Sequence, residues 1–440
     1  MKAHIKLDHE LLAVETEHRV HAMLELVAPE AHEGGERPPL ELALVIDRSG
    51  SMGGPKLEFT KRCARYLVRR LAPQDRLTLV AYDDEVELLT PLVRVDEAPF
   101  DAAIAQLYAR GTTNLSGGWL KGAEQLRAGS DNATKKILLL TDGLANVGVT
   151  DPAALVSLTG SQAETGVGTT TIGFGEDFDE NLLTAMADAG RGNAHYVESP
   201  EAAPAIFAEE FEGLVSLVAQ NVSIELRPSS EVAVVGVLND YPAVGVGGGI
   251  QLQLGDAYGG ERRRVVFELH IPELARLGVA TVADVVIRYT SVGEEIAAHE
   301  LTLPVKVNLV SASEAAAEGA DQDVVEEVTI LKSARAEEQA RKMADGGEFD
   351  GAMDLLRTTA DELRMTAPNS ARAGELAAEA ERLEEWHDAM SVGTWGAAQS
   401  KRTHFASFDI RRGRPSPYRR PPSEPPDSTG SEGAGDDDDS

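Results

Sequence analysis

The chain has 440 residues, with 41 Lys and Arg against 73 Asp and Glu and a formal net charge of −32. That length allows two or three domains, each with its own hydrophobic core, and acidity of this size argues against a nucleic-acid backbone or an anionic membrane as partner. Cys63 is the only cysteine, which excludes an internal disulfide and a thiolate cluster for zinc or iron–sulfur.

The N-terminal stretch MKAHIKLDHELLAVETEHRV mixes charged and apolar residues, without the continuous apolar core of a secretory signal, and no later stretch approaches a membrane span. The expectation is a soluble, cytoplasmic protein. Ile5 and Leu7, then Val20, Ala22, Leu24 and Leu26, recur at period two and predict half-buried strands within residues 1–38.

Residues 39–219 read differently. The runs LALVI (42–46), LTLVAY (77–82), ILLLT (137–141) and TTTIGF (169–174) are apolar without alternation, as parallel strands covered on both faces should be. Helical patterns separate them, with apolar faces at Phe59, Cys63 and Leu67 and at Leu115, Trp119, Ala123 and Leu126. This predicts a doubly wound α/β domain. Cys63 on such a face reads as a small buried hydrophobe. His195, in GNAHYVES, reads as a satisfied structural histidine on a strand near the far edge.

Period-two patterns return over 220–310: Val222, Ile224 and Leu226; Ile250, Leu252 and Leu254; Val265, Phe267, Leu269 and Ile271; Val285, Ile287 and Tyr289; Leu301, Leu303, Val305 and Val307. Together with the upstream strands they predict one antiparallel β-sandwich built from both ends, with the α/β domain inserted. VGVGGGI (244–250) reads as a strand connection, because no helix follows it. Residues 311–400 are Ala- and Glu-rich with helical periodicity over about 323–344, 349–364 and 370–390, interrupted at Gly346, Gly347 and Pro368. From 413 to 440 a Pro-, Ser- and Asp-rich tail ending GAGDDDDS is expected to be disordered.

Ligands of a doubly wound sheet gather at the carboxyl ends of its strands. VIDRSGSM (45–52) ends one strand and brings Asp47, Ser49 and Ser51 to that edge; LLLTDG (138–143) brings Asp142; RGTTNLSGG (110–118) adds Thr112 or Thr113. Two carboxylates and several hydroxyls without His or Cys form an all-oxygen set, which suits a hard divalent ion such as Mg²⁺ better than zinc. DRSGSM read alone is better taken as a helix cap. It is not the Gly-x-Ser-x-Gly elbow of a serine nucleophile, and GGPK lacks the ending of a phosphate-binding loop.

The spacing Asp47-x-Ser49-x-Ser51, Gly111-x-Thr113 and Thr141-Asp142-Gly143 resembles the metal-ion-dependent adhesion site (MIDAS) of von Willebrand factor type A (VWA) domains, over about residues 40–219. TDGLANVG and GFGEDFDENLL are similar to the bacterial branch near the inter-alpha-trypsin-inhibitor heavy chains and chloride-channel-like proteins. The resemblance implies a Rossmann-like domain without catalytic residues, binding Mg²⁺, with Mn²⁺ or Ca²⁺ as alternatives. Ser49 and Ser51 would bind the metal directly, Asp47 and Asp142 directly or through water, and Thr113 once ligand is bound. The remaining position would take an acidic side chain of a protein partner, making the protein a scaffold or adaptor. An AAA-type ATPase is a partner by family resemblance only. The alternatives are a metal-assisted hydrolase and a structural module whose metal only stabilises the fold.

Overall fold

In the computed structural model, the residues described are 1–30, 37–130, 132–199, 203–292 and 297–414; nearly all of the acidic C-terminal tail expected to be disordered lies outside them. The chain opens with β1 (Lys2–Leu7), β2 (Leu11–Ala13) and β3 (His18–Val27). It then enters the α/β unit: β4 (Leu40–Asp47), α1 (Pro55–Arg70), β5 (Arg76–Tyr82), β6 (Val86–Arg94), α2 (Glu97–Ala105), α3 (Leu115–Arg127), β7 (Thr134–Thr141), α4 (Pro152–Glu164), β8 (Val167–Phe174), α5 (Glu180–Ala189), β9 (Arg191–Val197) and α6 (Ala203–Val215).

The strands of this unit form one sheet in the order β6-β5-β4-β7-β8-β9, parallel except at β6. β4, β7 and β8 are buried along their whole length, which is why they are written as unbroken apolar or Thr-rich runs. The sequence patterns miss β6. It is a half-exposed edge strand containing Pro91, antiparallel to β5 across two register shifts, and Pro is tolerated in a sheet only at such an edge. Leu42, Leu44 and Ile46 pack with α1, α2 and α6 on one face, while Ala43 and Val45 pack with α3 and α5 on the other. Cys63 lies within the first of these cores, and burial pushes its thiol up to about 12, as befits a packing residue.

After α6 the chain runs through β10 (Leu217–Pro228), β11 (Ala233–Val237), β12 (Ala243–Val246), β13 (Gly249–Tyr258), β14 (Arg262–Ile271), β15 (Gly278–Ser291) and β16 (Ala298–Val310). One sheet has the order β1-β3-β14-β11 and the other β12-β13-β10-β15-β16-β2. Their residues share a single hydrophobic core, in which Leu24 and Leu26 join Ile224, Leu252, Phe267, Ile287 and Val305. Strands from both sides of the α/β unit therefore pair directly, β3 with β14 over ten residues. The antiparallel expectation has one exception: β2 lies parallel to β16. VGVGGGI forms a hairpin in which Val246 pairs with Gly249 across Gly247 and Gly248, at φ +53° and +85°. Two successive positive φ values are the signature of a type I′ turn, which glycine enters without strain.

The chain ends in helices α7 (Ala312–Ala315), α8 (Gln322–Asp345), α9 (Phe349–Thr366), α10 (Ala373–Ser391) and α11 (Ala397–Arg411). α8, α9 and α10 share a core that also takes Met23 of β3 and Val266 of β14. Helical structure continues past residue 400, because α11 docks on the α/β unit. Its Phe405 stacks on Tyr196 at 5.7 Å, and its Lys401 donates to Glu180 and to the Phe178 carbonyl, each at 2.6 Å.

Candidate functional site at the carboxyl edge of the parallel sheet

β4 lies between β5 and β7, so the direction of strand order reverses at its carboxyl end. Asp47 is its last residue, with Thr141 the last of β7 beside it. Ser49 N–H donates to Asp47 Oδ1 at 2.8 Å, which folds the chain tightly into a single 3₁₀ turn at Gly50–Met52 before α1 begins. Both serine hydroxyls thereby face one side. Ser49 Oγ lies 3.1 Å from Ser51 Oγ, and Ser51 Oγ donates to Asp142 Oδ1 at 2.7 Å. Thr141 Oγ1 donates to Asp47 Oδ2 at 2.7 Å, and Lys56 Nζ donates to Asp142 Oδ2 at 2.6 Å.

Thr113 is buried and Thr112 is exposed. A methyl group added at Gly143 would meet Thr113 Oγ1 at 3.4 Å and Ser51 Oγ at 3.6 Å, so the Thr113 hydroxyl shares the space in front of Ser51. Asp47, Ser49, Ser51, Thr113 and Asp142 are thus brought together by three loops. Asp47, Ser49, Thr113 and Asp142 are buried and Ser51 is exposed, which leaves the cluster open to solvent on one side.

Backbone bonds lock the loops to each other. Gly50 N–H donates to the Gly111 carbonyl and Arg110 N–H to the Arg48 carbonyl. Asn146 and Val147 N–H both donate to the Thr113 carbonyl. Beneath them, Asp83 accepts from Arg48 Nε at 2.8 Å and from Arg110 Nε at 2.7 Å, while Arg48 also reaches Glu87 at 2.6 Å. Burial opposes the charge on Asp83, but the Glu85 N–H and the two guanidinium groups outweigh it and hold its carboxyl below the ordinary value. None of Lys56, Asp83, Arg110 or Thr141 was singled out as a site residue by the sequence patterns. Arg48 and Thr141 lie within the recognised motifs, whereas Asp83 just follows β5 and carries no motif.

The two site carboxylates differ. Asp142 has the Lys56 ammonium against it; among the described residues no Lys, Arg or His forms an ion pair with Asp47. Burial pushes the Asp47 carboxyl up to about 6, helped by the neighbouring charge of Asp142 and opposed by the bonds from Thr141 and Ser49. Among the described residues no three His, Cys, Asp or Glu side chains are placed to hold a metal. The cluster has two carboxylates, and hydroxyls complete it. Hard all-oxygen donors around a buried, uncompensated carboxylate fit a divalent ion of the Mg²⁺ class. A cavity of about 220 Å³ lies elsewhere, near the start of β9, bordered by the His195–Glu210 and Arg414–Glu261 pairs. His195 is thus paired within the fold.

The sheet order, the strand-end acid and the three hydroxyl-bearing loops define a von Willebrand factor type A domain, and the sequence profile of that family matches residues 41–209. Residues 41–209 of the chain therefore form a von Willebrand factor type A domain. An uncharacterized protein of Synechocystis sp. is 28% identical over 347 residues, covering 76% of this chain and 81% of that one. Inter-alpha-trypsin inhibitor heavy chain H1 of Sus scrofa is 31% identical over 166 residues; the match covers 36% of this chain and only 18% of the relative. A solved von Willebrand factor type A structure from Catenulispora acidiphila superposes with a TM-score of 0.67 at 19% identity, covering 86% of this chain and 88% of that one; this likeness is one of fold. Domains of this type commonly mediate protein–protein interactions. No helix among the described residues is long and apolar enough to cross a membrane.

Proposed function

We propose that this protein is a non-catalytic, cytoplasmic scaffold or adaptor whose type A domain binds Mg²⁺ and, through it, an acidic side chain of a protein partner. Ser49, Ser51 and Thr113 would hold the ion through neutral hydroxyls, with Asp47 and Asp142 acting directly or through water. Mn²⁺ and Ca²⁺ would satisfy the same oxygen donors. The bound ion supplies positive charge at the solvent-facing mouth of the cluster, which attracts a carboxylate in an otherwise acidic molecule. The chain's own residues fix the hydroxyls, exclude bulk water from Asp47 and Asp142, and leave the Ser51 side accessible.

The observation that carries this reading is the convergence of five oxygen-bearing side chains from three loops, one of them the buried Asp47 carboxylate, which has no counter-charge among the described residues. A hydrolase would need a base aimed at a serine with an oxyanion-binding arrangement beside it. Here Ser51 donates to a carboxylate, Asp142, but Lys56 is charge-paired with that carboxylate and opposes its taking up a proton, and the serine hydroxyls bond to each other; this arrangement suits oxygen ligands better than an activated nucleophile. The test is a pull-down with the full chain in Mg²⁺ and in EDTA, repeated with Asp47→Ala. Partners retained only by wild type in Mg²⁺ support the proposal. Identical partner sets in all conditions reject it.

A further inference from the structure

Lys56 is the second residue of α1, where the helix dipole disfavours a positive charge. Its ammonium nevertheless lies 2.6 Å from Asp142 Oδ2, with its side chain only 27% exposed. The other oxygen of that buried carboxylate is held by Ser51. A methyl group added at Gly175, in the turn after β8, would lie 3.2 Å from Lys56 Cε and 3.3 Å from Nζ. The lysine therefore runs between that turn and Asp142, placed for the carboxylate and not for the helix.

We propose that Lys56 is a built-in competing cation that sets the metal affinity of the site and the charge of its loaded state. This inference rests on the metal-site reading above. Without metal, the ammonium neutralises Asp142 and keeps the loop after β7 in place while Asp47 remains uncompensated. A divalent ion entering among the serines must share Asp142 with the ammonium and is repelled by it, so binding is weaker than the donor set alone would allow. Once the ion is in, two carboxylates, one ammonium and one divalent cation leave an excess of one positive charge. Without Lys56 the same loaded site would be neutral. The lysine thus exchanges metal affinity for attraction toward one carboxylate, the partner chemistry that a lone type A site in an acidic protein requires. The ammonium is a compact point charge on a flexible stem, able to retain Asp142 or turn toward the incoming carboxylate.

The experiment is calorimetric titration of the full chain with MgCl₂ alone at fixed ionic strength, for wild type, Lys56→Gln and Lys56→Arg. Lys56→Gln is expected to bind Mg²⁺ about tenfold tighter or more, since a full charge a few ångströms from a divalent ion is removed. Lys56→Arg should stay within about threefold of wild type, because the charge is kept. In EDTA the glutamine variant should melt below wild type, and saturating Mg²⁺ should close that gap. An affinity equal to or weaker than wild type in Lys56→Gln, or a melting gap that Mg²⁺ leaves open, overturns the role of Lys56 while leaving the metal site standing. Absence of Mg²⁺ binding in all three proteins overturns the metal-site reading itself.

Discussion

Asp47 and Glu210 are both sealed inside the α/β domain, at 0% and 3% exposure, and their surroundings push them in opposite directions. Glu210 accepts from Thr170, Asn193 and His195 at 2.7 to 2.9 Å. Burial disfavours its charge, yet His195, Asn193 and Thr170 outweigh burial and bring its carboxyl down to about 2. Asp47 has hydrogen bonds from Thr141 and Ser49 but, among the described residues, no cation paired with it, and burial brings it up to about 6. Equal burial therefore separates a carboxylate completed by its own fold from one that remains short of positive charge. The first kind belongs to structure. The second is the kind of position at which a bound cation would be stabilising.

Among substitutions at these two acids, Glu210→Ala should be the most disruptive. It strands His195, Asn193 and Thr170 in the interior and should cost about 3 to 5 kcal/mol in a denaturant titration, with no dependence on Mg²⁺. The Glu210–His195 pair should also make stability depend on pH. Glu210 has a folded value near 2 against an ordinary 4.5, so its contribution is present above pH 4.5 and fades as pH falls toward 2. His195 is raised above its ordinary 6.5: burial disfavours its charge, but Glu210 more than compensates. Its contribution is present below pH 6.5 and fades as pH rises through the folded value. The stability gap between wild type and Glu210→Gln should therefore be widest from about pH 4.5 to 6.5 and shrink on both sides.

Asp47→Asn should behave in the opposite manner. The amide keeps an acceptor for Ser49 N–H while removing a buried, uncompensated charge, so unfolding in EDTA should shift by no more than about 1 kcal/mol, toward greater stability. The rise in melting temperature that Mg²⁺ gives wild type should vanish. The smallest effects separate the two threonines. Thr113→Ala should weaken Mg²⁺-dependent partner capture, whereas exposed Thr112→Ala should leave capture unchanged and stability within about 0.5 kcal/mol.

What the sequence makes legible follows from the same physics. β4, β5, β7 and β8 are written as continuous apolar or Thr-rich runs because both of their faces are covered. The loops of the cluster are legible because their residue types recur at fixed short spacings. β6 escapes because its exposed edge dilutes the apolar signal and Pro91 argues against a strand. α11 escapes for a different reason. Its buried Lys401 and His404 meet Glu180, Glu338 and Thr184, residues that only the tertiary fold brings near. Lys56 is hidden in the same way: five residues beyond Ser51 it reads as an ordinary solvated lysine, and its meaning depends on Asp142, 86 positions away. The choice between Thr112 and Thr113 likewise needed the loop's path, since adjacent hydroxyls are indistinguishable by spacing.

If Asp47 anchors a site short of positive charge that a divalent ion completes, calorimetric titration of MgCl₂ into the full chain should show one ion bound per wild-type chain and none by folded Asp47→Asn. Equal binding by the two proteins, or no binding by wild type, would mean that Asp47 does not hold a divalent ion.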